Sequence, residues 1–151
     1  MVTKNKNRFI LLIIFGTLIF DQLTKYFTRS YNPHIGGFIS LTFEKNTGSA
    51  FSFLSGQNLL LVFVSLIFIG VFLFLIDKIF LEKDYYAYFF ILAGAIGNLI
   101  DRIFLGYVTD MINVGTFPVF NIADSAITIG AVIIIFNALK EEFFNKKKIK
   151  K

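Results

Sequence analysis

YYAYFFILAGAIGNLIDRIFL, residues 85–105, decides the fold. It is apolar over most of a length sufficient to cross the hydrocarbon core of a bilayer, yet it carries Asn98, Asp101 and Arg102 near one end. A charged side chain at membrane depth costs roughly 2.5–3.5 kcal/mol on insertion scales, so residues of this kind persist where they pair with one another or do chemistry.

The rest of the chain has the same character. Of its 151 residues, 56% are hydrophobic and 18% aromatic, and mean hydropathy is +0.70. A soluble domain would be nearer about 45–50% apolar, with those residues scattered by period instead of gathered in blocks. Apolar windows near twenty residues long predict four transmembrane helices, at about 9–27, 59–76, 85–105 and 122–139. The expected fold is an all-α membrane protein, and residues 1–151 form a single domain because four closely connected spans leave no room for a second core. The first span follows a basic segment, as a secretory signal would, but it carries Asp21 and Lys25 at its far end and has no small-residue cleavage site. It reads as a retained helix.

The longest polar stretch, roughly 28–58, separates the first two spans. Phe38 to Phe43 alternates apolar with small or polar residues, between Gly36 and Gly37 on one side and Asn46, Thr47 and Gly48 on the other. This predicts a small β-sheet segment closed by a turn. Ala50 to Leu54 is apolar enough to form a membrane-surface segment roofing the polar residues.

Orientation follows from the basic residues. Lys4, Lys6 and Arg8, then Lys78 and Lys83, then Lys140, Lys146, Lys147, Lys148, Lys150 and Lys151 all fall on one side, against Arg29 and Lys45 in the first outer loop. Both termini are therefore expected in the cytoplasm and the sheet outside it. Asp21, Lys25, Asn98, Asp101, Arg102, Asn121 and Asp124 then share one depth, near the outer leaflet, to which the loop holding Asp110 returns. The net charge of +5 sits on tails beside the membrane. Membrane lipids with anionic headgroups are the expected contact, at about 1 kcal/mol per basic residue; no nucleic acid partner is expected.

Without cysteine, and with His34 as the one histidine, the chain has no disulfide, no thiolate and no Cys- or His-based zinc site, and no metal or cofactor is expected. His34, beside Pro33, reads as a solvated loop residue. Carboxylates remain. Two of them close together can share a proton and serve as general acid and base, and mutual repulsion makes such a pair titrate as a unit. Asp110 and Asp124 bracket the entry to the last span. Alone, Asp110 between Gly106 and Gly115 reads as a solvated turn acid, and Asp124, three residues after Asn121, as part of a helix cap. The pair beside Asn98 and Arg102 favours catalysis. Asn98, Asp101 and Arg102 share a helix face. Arg102 suits a carboxylate or a substrate carbonyl, and the two asparagines can both donate and accept. Asp21 and Lys25 at i, i+4 read as an ion pair, and Phe63, Phe68, Phe72 and Phe74 as packing or lipid-facing residues.

Five strings occur in order across the four spans: DQLTK (21–25), NTGSAF (46–51), GAIGNLIDR (94–102), TDMI (109–112) and FNIAD (120–124). On these the chain resembles the lipoprotein signal peptidases, the type II signal peptidases, over nearly its whole length. The resemblance implies an intramembrane aspartic endopeptidase of the bacterial cytoplasmic membrane. It would cleave the signal peptide from diacylglyceryl-modified prolipoproteins just before the lipidated cysteine. It implies Asp110 and Asp124 as catalytic, Asn46, Asn98, Arg102 and Asn121 as lining the site, and Asp21, Lys25, Gly48 and Asp101 as supports. Ser49 stands where many relatives have alanine, and TDMI where VDFI is commoner. Two other classes stay open on residues alone: a peptidase in which Lys25 activates Ser40, Ser52 or Ser55, and a small transporter. A monomer is expected, since four helices around one site need no symmetry partner.

Overall fold

In the computed structural model, which describes residues 2–32, 35–49 and 54–149, helices dominate. They are α1 (Val2–Tyr31), α2 (Asn58–Phe74), a single-turn α3 (Ile76–Ile79), α4 (Tyr85–Leu105) and α5 (Ile122–Ile149). The third predicted span matches α4 at both ends, whereas α1 and α5 run beyond the first and fourth. Three helical segments, Asn5–Tyr31, Tyr85–Leu105 and Ile122–Phe143, are long and apolar enough to cross a membrane. The helix at the second predicted span, α2, has 17 residues, the lower end of the workable range of about 17–25. Arg29, expected in an outer loop, lies in the last turn of α1.

Burial is distributed as a lipid solvent demands. Leu12 is 71% exposed, Phe104 78% and Phe74 87%, while Asp21, Lys25 and Asp101 are buried. In water, each exposed apolar side chain would forgo roughly 1.5–3 kcal/mol of burial; against hydrocarbon it forgoes nothing. An apolar core of Ile10, Ile13, Phe72, Ile79, Phe89 and Leu92 packs the end of the bundle where α1 and α4 begin. The polar cluster occupies the other end.

Helix α4 is the hub, packed on α5, α1 and α2. Small residues set its distance from α5. A Cβ on Gly94 would stand 2.3 Å from the carbonyl oxygen of Ala123, and one on Gly97 would stand 2.8 Å from Asp21 Oδ2 and 3.2 Å from Ala123 Cβ. The glycines of GAIG thus admit the start of α5 and the carboxylate of Asp21 against the α4 backbone, which is how helices approach closely when no hydrophobic effect drives them together.

The β-structure is larger than expected. β1 (Ile35–Gly36), β2 (Ile39–Asn46), β3 (Val108–Val114) and β4 (Phe117–Phe120) form an antiparallel sheet in that order. The expected segment corresponds to β2, which runs on through Asn46. The hairpin of β3 and β4 was not anticipated, so Asp110 is a strand residue and not a turn acid. Two features hid it. Residues 108–111 are all buried, giving no alternation to detect, and the partner strand is remote in sequence, with Glu44 opposite Asp110 and Asn46 opposite Val108. Gly106, with φ of 80°, ends α4 in the left-handed conformation, its N–H bonding the carbonyl of Arg102, and turns the chain directly into β3. The surface segment expected at 50–54 falls, except for Leu54, outside the described residues, as do His34 and Pro33.

Candidate active site

Asp110 sits in mid-strand and is only 3% exposed. Its two oxygens are both engaged: Oδ2 accepts from Asn46 Nδ2 at 2.9 Å and Oδ1 from Asn121 Nδ2 at 2.7 Å. Burial foremost, and the Asp124 carboxylate next, push the Asp110 carboxyl above its ordinary 3.8 to about 6. The hydrogen bonds from Asn46 and Asn121 and the charge of Lys25 pull the other way without prevailing.

Asp124 occupies the first turn of α5. Its N–H donates to Asn121 Oδ1 at 2.8 Å, and its own Oδ2 accepts from the Asn121 N–H at 3.2 Å. This reciprocal pair is a capping box, so the bland cap anticipated for Asp124 is present. It uses only one carboxylate oxygen. The other, Oδ1, accepts from Asn98 Nδ2 at 2.8 Å, and Asp124 also lines the large cavity described below.

Behind the asparagines lies a buried ionic chain. Lys25 Nζ reaches Asp21 Oδ2 at 2.8 Å, Asn98 Oδ1 at 3.0 Å and Asp101 Oδ2 at 3.6 Å. The expected i, i+4 pair of Asp21 and Lys25 is present, and both side chains are fully buried within the protein. Asp21 also accepts the Ala123 N–H at 2.9 Å, placing an acid at the N-terminus of α5. Asp101 Oδ2 accepts the N–H of Thr109 at 2.8 Å, tying α4 to the strand residue beside Asp110. Burying charges costs several kcal/mol per ion unless each is met by partners; among the described residues no buried side-chain nitrogen or oxygen lacks one.

A cavity of about 1020 Å³ opens in front of the two aspartates. Asn46, Asn98 and Arg102 line it, with Leu61, Val64 and Phe68 of α2, Phe117 to Phe120 of β4, and Ile129 of α5. Arg102 Nη2 donates to the Gly48 carbonyl at 3.1 Å, and the Gly48 N–H donates to Asn46 Oδ1 at 2.9 Å. The lining therefore presents the carboxylates of Asp110, Asp124 and Glu44, the amides of Asn46 and Asn98, the Arg102 guanidinium and Lys45, with a few hydroxyls among mostly apolar side chains, while Asn121 is buried behind it. Lys25, enclosed by Asp21, Asn98 and Asp101, is not poised as the base of a serine.

The structure thus gathers Asp110, Asp124, Asn46, Asn98, Arg102 and Asn121 in one place and sets Asp21, Lys25, Gly48 and Asp101 directly behind or beside them. Asp101 turns from Asn98 and Arg102 toward α1 and β3. Sequence reasoning missed Gln22, Arg29 and Thr109. Gln22 Nε2 bonds the Gly97 carbonyl at 3.2 Å; Arg29 Nη1 donates to Thr109 Oγ1 at 2.9 Å and lies 3.6 Å from Asp101 Oδ1. The series Asp21, Lys25, Arg29 at i, i+4, i+8 was the signal for Arg29. Nothing local marked Thr109.

Known proteins resemble this chain over most of its length. A family model described as signal peptidase (SPase) II matches residues 13–140. The chain is similar to the lipoprotein signal peptidase of Caldicellulosiruptor bescii, at 42% identity over 91% of this chain and 97% of the relative. Its similarity to that of Enterococcus faecalis is 38% identity over 81% and 82%. A solved bacterial membrane enzyme, determined by the in meso method at 2.3 Å resolution, superposes with a TM-score of 0.79 and 33% identity over 88% of both chains.

Proposed function

The chain belongs to the signal peptidase II family, and on that premise we propose that it is an intramembrane aspartic endopeptidase in which Asp110 and Asp124 share the catalytic proton. It removes signal peptides from prolipoproteins. The observation that carries the assignment of the pair is the position of Asn121, which donates to Asp110 through its side chain and to Asp124 through its backbone at the polar end of a largely apolar cavity.

In the proposed reaction the ionised aspartate takes a proton from water as its oxygen attacks the scissile carbonyl. The protonated aspartate gives its proton to the carbonyl oxygen. The tetrahedral intermediate collapses with return of that proton to the carboxylate and transfer of the other to the departing amine, so the pair ends each turnover as it began. Asn46, Asn98 and Arg102 line the cavity and hold the extended peptide; Asn121, buried behind them, braces the two aspartates, and Asp21, Lys25, Gly48 and Asp101 support the set. The substrate is diacylglyceryl-modified, is cut before the lipidated cysteine, and enters laterally from the membrane with its lipid left there, as the apolar α2 wall of the cavity suits.

The wider arrangement completes the proposal. Residues 1–151 are one polytopic domain, α2 counts as a fourth and short span, and both termini face the cytoplasm of a bacterial cell. The sheet and active site lie at the outer leaflet, the basic tails meet anionic lipids, and the enzyme acts as a monomer.

The test is cleavage of a diacylglyceryl-modified prolipoprotein by purified wild type, Asp110→Asn and Asp124→Asn, with folding checked for each. Both variants keep the size of the side chain and are expected to lose about 10²- to 10⁴-fold in rate. Near wild-type cleavage by either folded variant removes that aspartate from the mechanism.

A further inference from the structure

Lys25 has an ammonium with three donors and no acceptor. Its contacts are Asp21 Oδ2 at 2.8 Å, Asn98 Oδ1 at 3.0 Å and Asp101 Oδ2 at 3.6 Å, and it is wholly buried. Asn98 cannot turn its NH₂ toward this group. Its oxygen must face Lys25, and its nitrogen then points at Asp124 Oδ1, 2.8 Å away. A reversed Asn98 would set two donors against each other on one side and two acceptors on the other. The same oxygen accepts from Asn121 Nδ2 at 3.2 Å, and that nitrogen also serves Asp110 Oδ1 at 2.7 Å. Asn121 is fixed independently, because its Oδ1 takes the Asp124 N–H.

We propose that Lys25 is a positioning residue for catalysis. By holding the Asn98 amide in one of its two orientations it keeps an N–H donor aimed at Asp124, and so sets the direction of the hydrogen bonds that hold both aspartates. This goes beyond charge balance, for which the adjacent Asp21 would be sufficient reason. It rests on the aspartate pairing proposed above. The charged groups facing this network are Asp21 from α1, Asp101 from α4 with Arg29 beside it, Arg102 also from α4, Asp110 from β3 and Asp124 from α5.

Removing Lys25 alone would leave the buried Asp21 carboxylate without its counter-charge, so the test uses charge-balanced pairs. Asp21→Asn with Lys25→Met, and Asp21→Asn with Lys25→Leu, delete the buried ion pair as a unit, which proteins often tolerate. The asparagine carbonyl at 21 can still accept the Ala123 N–H, and Asp101 keeps Arg29. Each double variant is compared with Asp21→Asn, which retains the ammonium. The expected result in whichever double variant folds is a kcat lower by about 10- to 100-fold with KM little changed. Lys25 also holds the Asp110 carboxyl down, so loss of its charge moves the acid limb of the pH profile with or without a turn of Asn98. The deciding readout is therefore kcat against KM at each variant's own pH optimum, which a merely structural lysine would not split. A folded double variant with the kcat of Asp21→Asn at that optimum overturns the proposal. Asp124→Asn assayed in parallel separates the two claims: its inactivity beside an unimpaired double variant defeats the role of Lys25 alone, and its activity defeats the aspartate pairing itself.

Discussion

Asn121 and Asp124 cap one another at the start of α5, the amide oxygen of Asn121 taking the Asp124 N–H at 2.8 Å while an Asp124 oxygen takes the Asn121 N–H at 3.2 Å. The same two side chains reach outward, Asn121 to Asp110 and Asp124 to Asn98. One element of helix architecture therefore fixes the relative position of the proposed catalytic pair.

The two duties of Asn121 should separate on substitution. Asn121→Ala loses both the cap and the donor to Asp110, and should lower stability by about 1 kcal/mol for the cap and cleavage by more than about tenfold. Asn121→Ser restores a capping oxygen but not the reach to Asp110, so thermal unfolding should recover while cleavage does not. Recovery of both would show that the bond to Asp110 is dispensable.

Asp110 should make stability depend on pH in a direction opposite to most acids. Its carboxyl titrates at about 6 in the folded protein against an ordinary 3.8, so the folded state holds the proton more tightly. The contribution is most favourable below 3.8 and is lost as pH rises toward and through about 6. A loss on the order of 1–3 kcal/mol follows across that window. Unfolding in detergent, followed for wild type and Asp110→Asn, should show the wild type losing stability relative to the variant as pH rises. Parallel curves would refute the assignment.

Catalysis should carry the same signature. A pair that works with one proton between its members loses kcat/KM where both are protonated and again where both are ionised. With Asp110 at about 6, the falling limb of the free enzyme begins near that value. A profile flat across both sides of it would argue against a shared proton.

Gly97→Ala should damage stability and site together. The new Cβ would stand 2.8 Å from Asp21 Oδ2 and 3.2 Å from Ala123 Cβ, and overpacking of this sort costs about 1–3 kcal/mol. Displacing Asp21 disturbs its bond to the Ala123 N–H, and with it the α5 terminus. A lower midpoint of thermal unfolding and reduced cleavage are expected, whereas Gly16→Ala, with nothing within 4 Å of its added Cβ, should leave cleavage unchanged and not lower the midpoint.

Much of this was open to a reader of the linear chain. The membrane class follows from blocks of apolar residues, and α4 can be bounded to the residue because its apolar run starts after the charged turn and stops at Gly106. The carboxylates stood out because lipid penalises them, whatever the fold. The β3–β4 hairpin was illegible, since all four residues from Val108 to Met111 are buried and leave no alternating pattern. Asp110 consequently looked like a solvated turn acid when it is a buried strand residue.

By itself the sequence determined which residues needed a reason to exist: the acids, amides and bases set among apolar runs. Tertiary structure alone decided what each of them meets. Asp21 bonds an amide 102 residues away, Asn46 reaches Asp110 across 64, and Lys25 reaches Asn98 across 73. Local periodicity records which face of a helix a residue occupies, because that depends on the solvent. It carries no record of which donor meets which acceptor, because a hydrogen bond is made only when folding brings two distant groups to within about 3 Å.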